Sequence, residues 1–140
     1  MRERRFSPGL CALLSTALVA CATHPPEILG SGSELATREY QTREYETLDR
    51  NLTLRSVLAT LQDLGFVIDS ADESLGTVTA TRASQYRMRM TVTVREKGAN
   101  RVLVRANARI GEETVSNPGT YQDFFTALDK AMFLTLHQVD

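Results

Sequence analysis

Beyond position 21 the chain has no cysteine. Its two thiols, Cys11 and Cys21, both sit near the amino terminus, so the body of the sequence can form neither a disulfide nor a thiolate metal site. Histidine is equally scarce: His24 and His137 lie at opposite ends, and no His, Cys, Asp and Glu fall at metal-ligand spacing. There is no glycine-rich phosphate loop and no G-x-S-x-G elbow, and Ser56, Ser70, Ser74 and Ser84 have no histidine nearby in sequence. Carboxylates are plentiful, but no pair stands out as the two acids that a glycosidase holds ~5 to 9 Å apart; Asp72-Glu73 reads as a turn. No catalytic residue, metal or cofactor is expected. A basic surplus is missing too, with 16 Lys and Arg against 17 Asp and Glu, so the chain is no polycation. The apolar run from Leu10 to Ala20 is about half the ~20 residues a membrane-crossing helix needs.

That short run has informative flanks. Arg2, Arg4 and Arg5 precede it and Leu18-Val19-Ala20-Cys21 ends it, which is the order of a lipoprotein signal peptide cut before Cys21. Cys21 is then the acylated first residue. Each buried methylene contributes roughly 0.8 kcal/mol, so several fatty chains such as palmitate give near-permanent anchoring. The expected organisation is a signal peptide (1–20), a lipidated cysteine and flexible tether (21–37) and one α+β domain (38–140). Pro25-Pro26 stiffens the first part of the tether, and Gly30, Ser31, Gly32 and Ser33 loosen the second. Removing the leader leaves 120 residues with 13 basic and 16 acidic side chains, enough for one modest core.

Periodicity supplies the elements. Residues 38–48 mix Tyr and Thr with charges in rough alternation, predicting a strand. Leu54, Val57, Leu58, Leu61 and Leu64 form a helical stripe, with Asn51 as cap and Gly65 as the left-handed residue past its end. Phe66–Asp69 and Thr77–Arg82 read as strands around the turn Asp72–Gly76. Tyr86 to Arg95 and Val102 to Ile110 alternate cleanly around the turn Glu96–Asn100 and pair antiparallel. Asn117-Pro118-Gly119 breaks the chain, and Thr120 to Asp123 has capping-box spacing for a last helix whose Phe124, Phe125, Leu128, Ala131, Met132 and Leu136 form a broad apolar stripe. Tyr121, Phe124, Phe125 and Phe133 at this spacing read as core aromatics ahead of a ligand groove, Phe133 and Leu134 broaden the stripe and leave some apolar surface, and His137 suits a helix end. The fold expected is an α+β antiparallel sheet of four to five strands with two helices on one face, in the order β-α-β-β-β-β-α.

One consequence of the alternation bears on function. If Met88, Met90, Val92, Val94, Val102, Val104, Ala106 and Ala108 face the helices, then Arg87, Arg89, Arg95, Arg101, Arg105 and Arg109 share the opposite face. A register pairing Arg95 with Arg101 also sets Arg87 against Arg109, Arg89 against Asn107 and Thr91 against Arg105. Like charges directly opposite are mildly destabilising. Either Glu44, Glu46 and Asp69 on neighbouring strands balance them, or the face receives an anionic partner, for which the planar guanidinium fork is suited. Nucleic acid satisfies the same physics but is not expected where the leader directs the chain.

Two resemblances add to this reading. Lipoproteins of bacteria use the residue after the cysteine as an address, and Ala22 in place of Asp implies the outer membrane, lipid-anchored and facing the periplasm. The blocks Gln41-Thr42-Arg43-x-Tyr45, Leu61-Gln62-Asp63-Leu64-Gly65-Phe66-x-Ile68-Asp69 and Tyr121-Gln122-Asp123-Phe124-Phe125 resemble a group of small proteobacterial outer-membrane lipoproteins. The helix closing in Leu-Gly-Phe is distantly similar to domains of the C lipoprotein of the β-barrel assembly machine. The resemblance implies a periplasmic accessory or binding module of an envelope complex, without cofactor and with no catalytic residue to transfer; its partners would be the membrane, through Cys21, and an envelope protein or anionic envelope component. An enzyme acting on cell-wall or lipid material and a purely structural subunit are the alternatives. Arg43 and Tyr45 suit either a functional role or partial burial.

Overall fold

The computed structural model describes residues 35–137; the leader, Cys21, His24 and the tether as far as residue 34 lie outside the described residues, as do the side chains of Leu136 and His137. The elements are α1 (residues 35–40), β1 (Thr42–Tyr45), α2 (Arg50–Asp63), β2 (Val67–Asp72), β3 (Thr77–Ala83), β4 (Arg87–Lys97), β5 (Arg101–Ile110), β6 (Glu113–Thr114) and α3 (Pro118–His137). All six strands join one antiparallel sheet in the order β1-β5-β4-β3-β2, with β6 continuing beside β5. The α2 helix carries the chain from one edge to the other, and β2 to β5 return as a meander. Both long helices cover one face and the other stays open, the α+β arrangement expected.

The core is built as the alternation predicts. Val78, Ala80, Met90, Val92, Val94, Val102, Val104, Ala106 and Ala108 project from the sheet onto Leu54, Val57 and Leu61 of α2 and Tyr121, Phe124, Phe125, Leu128 and Met132 of α3, all buried. Large side chains of this kind contribute roughly 1.5–3 kcal/mol each on burial. Met88 is only partly buried, and Tyr86 and Ile110 are exposed. Thr53, Ser56 and Thr60 also lie on the buried stripe of α2, and each hydroxyl donates to the carbonyl four residues earlier, at 3.0, 3.0 and 2.7 Å, so none is left unpaired. Phe133 and Leu134 remain 59% and 47% exposed, which leaves the apolar patch expected at the end of α3.

Four expectations are corrected. Residues 38–40 belong to α1, not to a strand, because the Gln41 amide donates to the Thr37 carbonyl at 3.2 Å and the Tyr40 ring packs 5.4 Å from that of Tyr121. This helix also takes residues 35–37 from the expected tether. The cap of α2 is Asp49, whose carboxylate accepts from Leu52 N at 2.7 Å; Asn51 already lies inside the first turn. The α3 helix begins at Pro118, ahead of the expected capping box, since Asn117 Oδ1 accepts from Gly119 N at 2.9 Å and proline's fixed φ suits a first helical position. Finally, the β4–β5 register is shifted by two residues. Lys97 opposes Arg101 across Gly98-Ala99-Asn100, which sets Arg89 against Arg109, Thr91 against Asn107, Thr93 against Arg105 and Arg95 against Leu103. Gly98 supplies the left-handed residue, at φ 68°, so the strand continues through Glu96 and Lys97 before turning. An even shift leaves every side chain on its expected face.

Candidate functional site

The open face of the sheet collects the odd-numbered residues of β3, β4 and β5. Arg87, Arg89, Arg95, Arg101, Arg105 and Arg109 are all exposed on it, joined by Lys97. The six arginines grouped from the sequence therefore do share one surface. Between them runs a polar floor: Thr77 opposes Thr93 and Thr79 opposes Thr91 across β3 and β4, the last two hydroxyls 3.4 Å apart, and Thr91 opposes Asn107 on β5. Two open depressions adjoin along this floor. One, of about 530 Å³, is bordered by Arg87, Arg89 and Arg109; the other, of about 350 Å³, by Arg95 and Arg105. Thr91 lines both.

The charges on this face divide into two groups. Glu44 of β1 pairs with Lys97 and, at 3.3 Å, with Arg101, and these hydrogen bonds, Lys97's first, hold its carboxyl below the usual glutamate range. Arg109 lies 3.5 Å from Glu112 Oε2. Asp69, expected to help, instead accepts from Thr81 Oγ1 at 2.6 Å, and Glu46 makes no ion pair among the described residues. Four arginines are left: no described carboxylate lies within ion-pair distance of Arg87, Arg89, Arg95 or Arg105. Arg89 stands directly opposite Arg109, a juxtaposition that costs stability.

Arg43 and Tyr45 lie on the other side of β1, facing the helices. Arg43 Nη1 and the Tyr45 hydroxyl, the latter at 2.7 Å, both donate to the Asp129 carboxylate of α3, and the Arg43 guanidinium sits 4.9 Å above the Phe125 ring. Burial, followed by the bond to Asp129, drives the Tyr45 hydroxyl well above the ordinary tyrosine range. This cluster fastens β1 to α3 and accounts for both residues structurally.

Two residues not singled out from the sequence gain importance. Arg38 of α1 is exposed and lines a depression with Thr37, Gln41, Arg105 and Asn107, extending the cationic surface past the sheet edge. Arg82, at an even position on β3, points to the helical side. Its guanidinium lies 4.8 Å over Phe66 and Nη1 donates to Leu64 O at 3.3 Å, while its Nε is buried without a partner. It borders a cleft of about 440 Å³ with Phe66, Met90, Phe124, Asp123 and Lys130. The pattern Val78, Ala80, Arg82 against Thr77, Thr79, Thr81 already separated it from the other arginines.

Among the described residues no three His, Cys, Asp or Glu side chains cluster as a metal site would need, and no helix is long and apolar enough to cross a membrane. Set beside known proteins, the chain matches no family model and no curated protein.

Proposed function

We propose that this protein is a non-catalytic binding module of the bacterial envelope, held at the outer membrane through acylated Cys21 and facing the periplasm, and that its open sheet face receives an anionic partner. The observation that carries the reading is the set of exposed arginines at 87, 89, 95 and 105 without a carboxylate among the described residues. Like charges directly opposite one another cost stability, and Glu112 reaches Arg109 but leaves Arg89, which stands against it, without a carboxylate, an imbalance that an external anion would relieve. The depressions on this face are open and lined mostly by threonine, asparagine and arginine, and Glu112 is the single carboxylate on their walls, which favours recognition over paired-acid hydrolysis.

The core and the side chains packed against it lie within residues 40–132, so a chain starting at Ala22 retains the fold while lacking leader and lipid. Such a chain is expected to be retained by isolated envelopes at low salt and released at high salt, because exposed charge pairs are screened. The variant with Arg87, Arg89, Arg95 and Arg105 changed to Glu is expected to be lost to the supernatant at low salt. Equal retention of that variant, shown to be folded by its denaturation curve, would remove the arginine face from function.

A further inference from the structure

We infer that the occupant of the arginine face is the phosphate-bearing surface of an anionic phospholipid bilayer, the one that carries the protein's own anchor. The inference rests on the binding reading above and narrows it. From Arg87 to Lys97 the cations of β4 extend along an 11-residue strand, roughly 35 Å at the usual rise, and β5 repeats them alongside. Arg87, Arg89 and Arg109 border one depression and Arg95 and Arg105 the adjoining one, so the cations are spread along the face and not gathered around a single anion-sized point. A broad array of this kind matches a plane of phosphates, and Thr79, Thr91, Thr93 and Asn107 offer neutral donors between the charges.

The α1 helix flanks this face, with Thr37 and Arg38 sharing a depression with Arg105 and Asn107. Cys21 is 14 residues before residue 35, a distance of at most about 50 Å when extended. An acyl chain at Cys21 thus holds the face within reach of the headgroups, and even weak attraction suffices at the resulting effective concentration.

Without its leader the chain has 13 basic and 16 acidic side chains, so the cations gathered on one face leave the remainder acidic, with Asp63 and Asp123 exposed on the helical side. A molecule polarised in this way turns its arginine face toward an anionic surface. A second copy approaching face to face is repelled by the same charges. Leu103 is the one apolar side chain in the two depressions, so attraction is electrostatic rather than insertional.

Vesicle flotation tests this with the chain from Ala22 to Asp140, using vesicles of phosphatidylcholine alone or with phosphatidylglycerol added. The chain is expected to float with the anionic vesicles, to ignore the neutral ones and to dissociate at high salt. Changing Arg87, Arg89, Arg95 and Arg105 to Glu is expected to weaken partitioning about ten-fold or more, while Arg55→Glu with Lys130→Glu, on the helical side, leaves it unchanged. Equal binding to both vesicle types, or undiminished binding by the folded four-site variant, overturns the inference. If the wild-type chain ignores anionic vesicles but is still retained by isolated envelopes through the arginines, the phospholipid assignment falls and the binding reading stands.

Discussion

At the scale of single residues, Tyr121 has the most consequential contacts. Its buried hydroxyl donates to the Val115 carbonyl at 2.6 Å and accepts from Gln41 Nε2 at 3.1 Å and from Ala108 N at 3.2 Å. It thereby bridges the gap on the β5 edge between β1 and β6, where the ladder has no strand. Tyr121→Phe strands a buried amide and a backbone N–H, so an urea titration is expected to show a loss of about 2 kcal/mol. The sequence located Tyr121 on the helical stripe and assigned it to the core, but its hydroxyl's partners come from three separate segments, one of them 80 residues away, and have no periodic signature. Tyr45 gives a pH signature. Its folded pKa is raised, so its contribution is complete below the ordinary tyrosine value of about 10 and is lost as alkalinity increases, because the unfolded chain ionises first. Stability measured across the alkaline range is expected to fall above about pH 10, and less steeply in Tyr45→Phe.

At the scale of elements, the turns decide the register, and their glycines differ in consequence. Gly65 and Gly76 both have left-handed backbones, at φ 80° and 65°. A Cβ at Gly65 would meet nothing closer than Arg82 Cδ at 4.0 Å, whereas one at Gly76 would lie 2.4 Å from the Val94 carbonyl and 2.6 Å from Arg50 Nη2. Gly76 is tied there because its carbonyl accepts from Val94 N at 2.7 Å and because Arg50 Nη2 donates to the Glu73 and Ser74 carbonyls, both at 2.9 Å. Gly65→Ala is expected to cost about 1 kcal/mol, the ordinary left-handed penalty, and Gly76→Ala about 3 kcal/mol or more; thermal unfolding of the two variants should separate them. The meander and both long helices were legible because periods of 2 and 3.6 survive in β3, β4, β5, α2 and α3. Helix starts and the β4–β5 register were not, because Asp49 and Asn51 are equally good caps by type, and an even register shift leaves the hydrophobic pattern unchanged.

At the scale of the whole molecule, one sheet face is committed to the core and the other to charge. The membership of the arginine face could be read from alternation alone. Its incomplete balance could not, since that depends on β1 lying beside β5 and on Glu44 reaching only Lys97 and Arg101. A face kept for binding costs stability, so Arg89→Gln, which relieves the contact with Arg109, is expected to raise stability by about 0.2 to 0.5 kcal/mol while weakening envelope retention. The most direct test of the account places a photoreactive side chain in living cells at Thr91, on the floor of the open face, or at Arg55, on the exposed side of α2. Adducts are expected from position 91 and few from position 55, with loss of the former when Arg87, Arg89, Arg95 and Arg105 are changed to Glu. Equal adducts from both positions, or adducts at 91 that survive the charge reversal, would contradict it.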